Sequence, residues 1–569
     1  MDKRMRVAII GLSAVMIIVI IAAALAIKGK LTPSNEVMSL TDYYQIEESE
    51  VMIILQDKLY DKKGMLVDGE VYIDYETIVR EFNHRFYWDS KENILTYTTP
   101  TEILRAEAGS SDYSVTMTLN STVKKADYEI VKVFADKVYV ALDFVGEYSD
   151  MEYQFYQKPN RLVITYKWGD YLSTEVTKAT QLRVKPGIKN PILAELPVGT
   201  ALLYVDVDEV PGKGFVKVMT EDGIIGYVKE KNVKKSFYKA FESSYTAPQY
   251  TNQTRQGKIC LAFHQISSSG AVESLETNLK ATKGITVVSP TWFKVSDTTG
   301  AITSYASVEY VNKAKELGVE VWALASDFDI KVNMAELLSH TSARDNLSNT
   351  LIQAALDYKL NGINIDFETI PSASGTDYTQ FLREMSVKCR NNGIVLSVDN
   401  YVPAPYNKHY NLEEQGQILD YVIIMAYNEF TGTEEAGPVA SIGFVKDAIT
   451  NTLEVVPAEK TIIAIPFWTK LWKETADGTI SSENLGMTKA ANVFTDHSLT
   501  PKWEEATGYN YGEYEMDGST YRIWLEDETS VDLKMSEIYN ANTAGVATWK
   551  LGLDRETVWD VIIKYLNKK

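Results

Sequence analysis

The chain has 569 residues, and its 57 Lys and Arg against 77 Asp and Glu give a formal net charge of -20. That acid excess excludes a nucleic-acid partner, whose phosphates demand basic surface, and a composition of 45% hydrophobic and 24% charged residues excludes wholesale disorder. At roughly 100 to 200 residues per domain, the length provides for three or four domains. The two cysteines, Cys260 and Cys389, exclude a disulfide framework and read as small buried hydrophobes. The five histidines are scattered without metal-ligand spacing, so no metal or other cofactor is expected.

Lys3, Arg4 and Arg6 precede Val7–Ile27, an uncharged run of 21 residues, long enough to cross a bilayer as a helix. Basic residues ahead of the run place the N-terminus in the cytoplasm and everything after it outside. Residues 1–30 therefore read as a cytoplasmic tip and transmembrane anchor, which makes a single-pass cell-membrane protein. The alternative is a signal peptide cut near Ala24–Ala26 and a secreted product. The length of the apolar run favours the anchor.

Residues 35–170 are dense in aromatic and β-branched residues with short turns, which predicts an α+β, β-rich stalk domain. A weak repeat sets the stretch from Val71 beside that from Val138, each running strand, short helix, strand, turn, strand. This pattern resembles the copper amine oxidase N-terminal-like stalk module of exported bacterial proteins, with no copper site implied. Residues 175–236 instead alternate short apolar strands with Gly and Pro turns, as a small β-barrel does. There "LRVKPG", "LPVGT" and the closing "GYV" resemble the bacterial Src-homology-three-like wall-binding domain, and the resemblance implies contact with cell-wall material. Residues 237–256 have the composition of a linker.

Residues 257–569 alternate apolar strands with helical patterns. Candidate strands begin at Ile259, Ile285, Val319, Gly362, Ile394, Tyr421, Thr461 and Ala544. Eight buried strands separated by helices predict a (β/α)8 TIM barrel with its site at the strands' C-terminal ends. A long gap before the eighth strand predicts a small α+β insertion, about 473–540, walling one side of a cleft.

The fourth strand, "GINIDFE", carries chemistry. Side chains two apart on a strand point the same way, so Asn364, Asp366 and Glu368 face the barrel interior and its mouth while Ile363, Ile365 and Phe367 face the helices. The competing reading has the two acids capping the next helix. Retaining glycosidases that use two carboxylates hold them about 5 to 5.5 Å apart across the sugar, and inverting ones about 6.5 to 9.5 Å apart. Neighbours on one strand flank a single side, so Asp366 is badly placed to attack opposite Glu368. The substrate-assisted exception, in which the sugar's 2-acetamido oxygen attacks, meets that constraint.

Across Gly257–Tyr565 the sequence resembles the family 18 glycoside hydrolases, the chitinase-like family, whose fourth strand ends D-x-x-D-x-D-x-E. "SPTWF" at Ser289, "MAYN" at Met425, "AGPVAS" at Ala436, "IPFWTKLW" at Ile465 and "ATWKLG" at Ala547 look like its spore-cortex and peptidoglycan-active branch. The resemblance implies that Glu368 is the general acid and base, its pKa raised by an apolar pocket and by Asp366. It implies that Asp366 binds the acetamido N–H and stabilises the oxazolinium intermediate, that Tyr427 donates to the acetamido oxygen, and that Trp549 floors the sugar site, with Met425 and Asn428 beside them. Trp292, Tyr401, Trp468 and Trp472 are candidates for sugar stacking. Asn361 and Asn364 stand where acids are usual, and Asn428 where Asp is common. Asn364 cannot share a proton with Asp366, but its amide is expected to donate a hydrogen bond to it. The expected substrate is an N-acetylated amino-sugar glycan, peptidoglycan or spore cortex, with chitin as the alternative. A chitinase-like lectin that binds wall with little turnover is the non-enzymatic rival.

Overall fold

The computed structural model describes residues 2–206, 212, 214–267, 272–329, 331–432 and 435–567. Its contacts divide the chain into two units: Met1–Phe86 with Ala108–Ser111 and Ala126–Ala247, and Tyr87–Glu107 with Asp112–Lys125 and Pro248–Lys569.

In the first unit, the helix Lys3–Leu31 is long and apolar enough to cross a membrane, and none of it is buried. Strand Glu70–Asp74 runs into a short helical stretch ending at Phe82, and strand Lys137–Ala141 runs into helix Leu142–Glu147; the two strands pair antiparallel within one seven-stranded sheet. A second seven-stranded sheet runs from Gly169–Glu175 to Phe237–Phe241 around Val176, Leu182, Val218 and Val228. Its last strand occupies the first residues of the expected linker. Phe237–Phe241 pairs with Gly169 through Ser173 of strand Gly169–Glu175, and Tyr171 packs edge-on against Phe241 with 5.4 Å between centroids. An otherwise open strand edge is thereby covered.

The second unit is built on eight parallel strands: β1 (Ile259–His264), β2 (Val287–Val295), β3 (Glu320–Ser326), β4 (Gly362–Asp366), β5 (Val395–Tyr401), β6 (Tyr421–Met425), β7 (Thr461–Pro466) and β8 (Gly545–Trp549). Each pairs with the next, and β8 pairs back to β1, closing the barrel. Gly545 lies at that closure, where a Cβ would collide with the Ile259 carbonyl. Both cysteines are buried in the barrel wall and its helical layer. Two helices bear on the site: α1 (Thr341–Tyr358) before β4 and α2 (Gly375–Asn391) after it.

The insertion is a five-stranded sheet spanning Trp468–Leu525 with helix Met487–Asp496 against it. It ends earlier than the sequence suggests, because Glu528–Asn540 is a barrel helix whose Val531, Met535 and Ile538 are buried in the barrel core.

A further five-stranded sheet, Tyr87–Asp89, Ile94–Thr98, Ile103–Glu107, Asp112–Thr116 and Ser121–Lys125, also belongs to this unit, although the sequence reads it as part of the stalk. Polar contacts tie it to α1 and α2. Asp89 accepts the Thr341 N–H at 2.6 Å and its hydroxyl at 2.7 Å, Arg105 pairs with Asp345 at 2.6 Å and with buried Glu384 at 3.3 Å, and Arg390 donates to the Pro100 carbonyl at 2.7 Å. Because α1 has no side-chain cap of its own, Asp89 satisfies its first N–H from this distant sheet.

Candidate active site

Every residue of β4 is buried. Phe367 stacks on Phe381 of α2 with 5.7 Å between centroids, which fixes the odd positions toward the helices. Asn364 faces inward: its amide donates to Asp399 Oδ2 at 2.6 Å, and its carbonyl accepts from Ser397 Oγ at 2.6 Å, both partners lying on β5. The expected donation from Asn364 to Asp366 is therefore corrected, since Asp399 takes the amide. Asn361 lies at the far end of β4, where its side chain accepts the Val321 N–H at 3.1 Å; it takes no part in the mouth.

Beyond β4 the chain turns, and Asp327, just past β3, fixes that turn. Its carboxylate accepts the N–H groups of Glu368 at 3.0 Å and Thr369 at 2.9 Å and the Thr369 hydroxyl at 2.7 Å. Neither Asp366 nor Glu368 caps α2, whose N-cap is Ser374. Glu368 is free to present its carboxyl to the mouth.

Burial raises the Glu368 pKa and nearby Asp327 raises it further, while a hydrogen bond with the Tyr401 hydroxyl pulls it down; the net shift is upward. Asp366 lies well above the ordinary carboxylate range because it is buried, and then because Asp399, Glu368 and Asp327 surround it. Asp399 is raised in the same way, against the pull of the Asn364 amide. An upward shift of a carboxyl pKa is what general acid catalysis requires.

Tyr427, two residues past β6, faces this cluster: its hydroxyl pKa is driven up by burial and then by Asp399, Asp366 and Glu368. Its ring packs edge-on against Trp468 with 5.1 Å between centroids. Trp549 ends β8 half-buried, 5.4 Å from the ring of Phe263. Met425 ends β6 and is buried, whereas Asn428 is exposed on a left-handed turn at φ 62°.

Two expected stacking platforms fail. Trp292 is only 1% exposed and packs edge-on against Tyr310 at 4.9 Å, while Trp472, also 1% exposed, donates its indole N–H to the Gly437 carbonyl. Both are core aromatics, since no face is left for a sugar. Tyr401, 38% exposed, instead contacts Glu368. Sequence reasoning missed Asp327 and Asp399. Each is one acid at the end of its own strand, and the signal was an inward-facing carboxylate in "SVDNY" and another at the end of "ALASD".

Residues 224–554, more than half of the chain, match the family model described as glycosyl hydrolases family 18. YdhD of Bacillus subtilis (strain 168) is 27% identical over 229 residues, 38% of this chain and 53% of YdhD. A cortical fragment-lytic enzyme of the same organism is 25% identical over 244 residues, 41% of this chain and 56% of that enzyme. The chain thus spans about half the length of these two relatives. The crystal structure of the Bacillus cereus spore cortex-lytic enzyme SleL superposes with a TM-score of 0.50 at 20% identity, covering 58% of this chain and 78% of that one, a likeness of fold. The family match runs through all eight strands that build the mouth, and on that ground the chain belongs to glycosyl hydrolases family 18.

Proposed function

We propose that the chain hydrolyses the β-1,4 bond after N-acetylglucosamine in peptidoglycan or spore-cortex glycan, by substrate-assisted retaining catalysis. The observation that carries this reading is the clustering of Glu368, Asp366, Asp399 and Asp327 on or just past three adjacent strands, β3 to β5, with Tyr427 facing them from just past β6. Acids gathered on one flank do not supply a carboxylate nucleophile across the sugar, whereas the substrate's acetamido oxygen needs none.

In this mechanism Glu368 protonates the glycosidic oxygen and then activates water. Asp366 accepts the acetamido N–H and stabilises the oxazolinium charge, Tyr427 donates to the acetamido oxygen, and Trp549 forms the apolar floor. Met425, Asn428, Tyr401 and Trp468 line the cleft. The Gly169–Phe241 sheet is assigned wall contact, and Lys3–Leu31 holds the enzyme at the membrane, facing outward. The wall-lytic names of the relatives favour peptidoglycan over chitin.

The test is mass spectrometry of soluble products from purified peptidoglycan and from cortex, with the parent chain beside Glu368→Gln. Fragments with reducing N-acetylglucosamine ends are expected from the parent, and at least 100-fold fewer from the variant, with wall binding kept. Ends carrying N-acetylmuramic acid would refute the bond assignment. Wall retention without fragments would favour the lectin reading.

A further inference from the structure

The ladder between β4 and β5 pairs Asn364 with Ser397 and Ile365 with Val398. One step further brings Asp366 alongside Asp399, both on the inward face, at a strand spacing of about 4.8 Å. Asn364 occupies one oxygen of Asp399, Oδ2. The other, Oδ1, and Asp366 Oδ1 are both buried without a hydrogen-bond partner among the described residues. Two neighbouring acids, each with an orphaned buried oxygen, lack one donor, and a single proton held between them supplies it.

We infer that Asp366 and Asp399 share one proton, and that Asp399 is a positioning residue on β5 that takes this proton when Asp366 turns ionised toward the substrate. The step balances without a co-reactant: neutral Asp366 and ionised Asp399 become ionised Asp366 and neutral Asp399. Asn364 orients the acceptor, through the amide that donates to Asp399 and the carbonyl that Ser397 holds. The inference rests on the assignment of Asp366 to the acetamido group made above.

The groups facing the pair come from several elements: Glu368 past β4, Asp327 past β3, Tyr401 on β5, Tyr427 past β6, Tyr378 of α2, and Tyr410 in the loop after β5. None of them is a cation, so no opposite charge stands in for the shared proton. Two interacting acids titrate in two separated steps, and a lone one in a single step between them.

The experiment uses the full chain in detergent, as parent, Asp399→Asn, and the swap Asn364→Asp with Asp399→Asn. The swap keeps an amide against a carboxylate across β4 and β5 and returns an acid beside Asp366. In Asp399→Asn the acid limb of kcat on peptidoglycan should move to higher pH by about one unit or more while KM holds, and the swap should bring it back. Infrared spectra with isotope-labelled aspartate read the proton without turnover. The last neutral-carboxyl band should be lost at lower pH in Asp399→Asn than in the parent. An unmoved acid limb and an unchanged carboxyl titration in that variant would overturn the inference, as would loss of activity equal at every pH and not recovered by the swap. Inactive parent protein with a shared-proton titration would instead strike the proposed function and leave the pair standing.

Discussion

Glu368 carries two opposed influences, burial holding its proton on and the Tyr401 hydroxyl favouring its loss. Replacing Tyr401 with Phe removes only the second. The Glu368 pKa should then rise further, and because the protonated form is the general acid, the alkaline limb of kcat should move to higher pH by roughly one unit. A pH–rate profile on peptidoglycan checks this; an alkaline limb that stays or moves to lower pH refutes it. Asp366 and Glu368 were legible in sequence because two acids at a spacing of two interrupt an apolar strand, and the strand period alone puts them on one face. Asp327 and Asp399 were not, since each is a single acid whose neighbours lie tens of residues away in the chain. Trp292 and Trp472 misled for a related reason, in that composition gives the ring but not whether a helix or a loop covers it.

At the scale of elements, all eight barrel strands were readable because strands of a parallel barrel are buried on both sides and appear as continuous apolar runs. The five-stranded sheet at residues 87–125 was assigned to the stalk because its polar contacts with the barrel are ion pairs, caps and hydrogen bonds between residues some 240 to 290 positions apart, such as the ion pair of Arg105 with Asp345 and the hydrogen bond from Tyr87 to Asp377. These contacts are testable as stability. Asp89→Ala removes the cap of α1 and should cost about 2 kcal/mol. Arg105→Ala leaves buried Glu384 and half-buried Asp345 short of a cation and should cost about 3 kcal/mol or more. Denaturant titration of the full chain measures both. Losses under about 0.5 kcal/mol would mean that the sheet lies on the barrel without supporting it.

For the molecule as a whole, the apolar helix Lys3–Leu31 offers either retention or release, and cell fractionation decides between them. Retention predicts full-length chain in membranes after alkaline washing; a soluble product beginning after Ala26 would show that the helix is a leader that is cut away. The interleaving of the second unit bears on descent. Tyr87–Lys125 serves the barrel but is encoded ahead of most of the other unit, so the catalytic part is not a cassette with one cut at each end. A recombination event that carried only residues 257–569 into another gene would deliver a barrel without Asp89 and Arg105, and with Glu384 stripped of one of its guanidinium partners. Lineages that kept the enzyme working should therefore have inherited the front segment and the barrel together, as one block of descent, while residues 126–247 between them were freer to be exchanged.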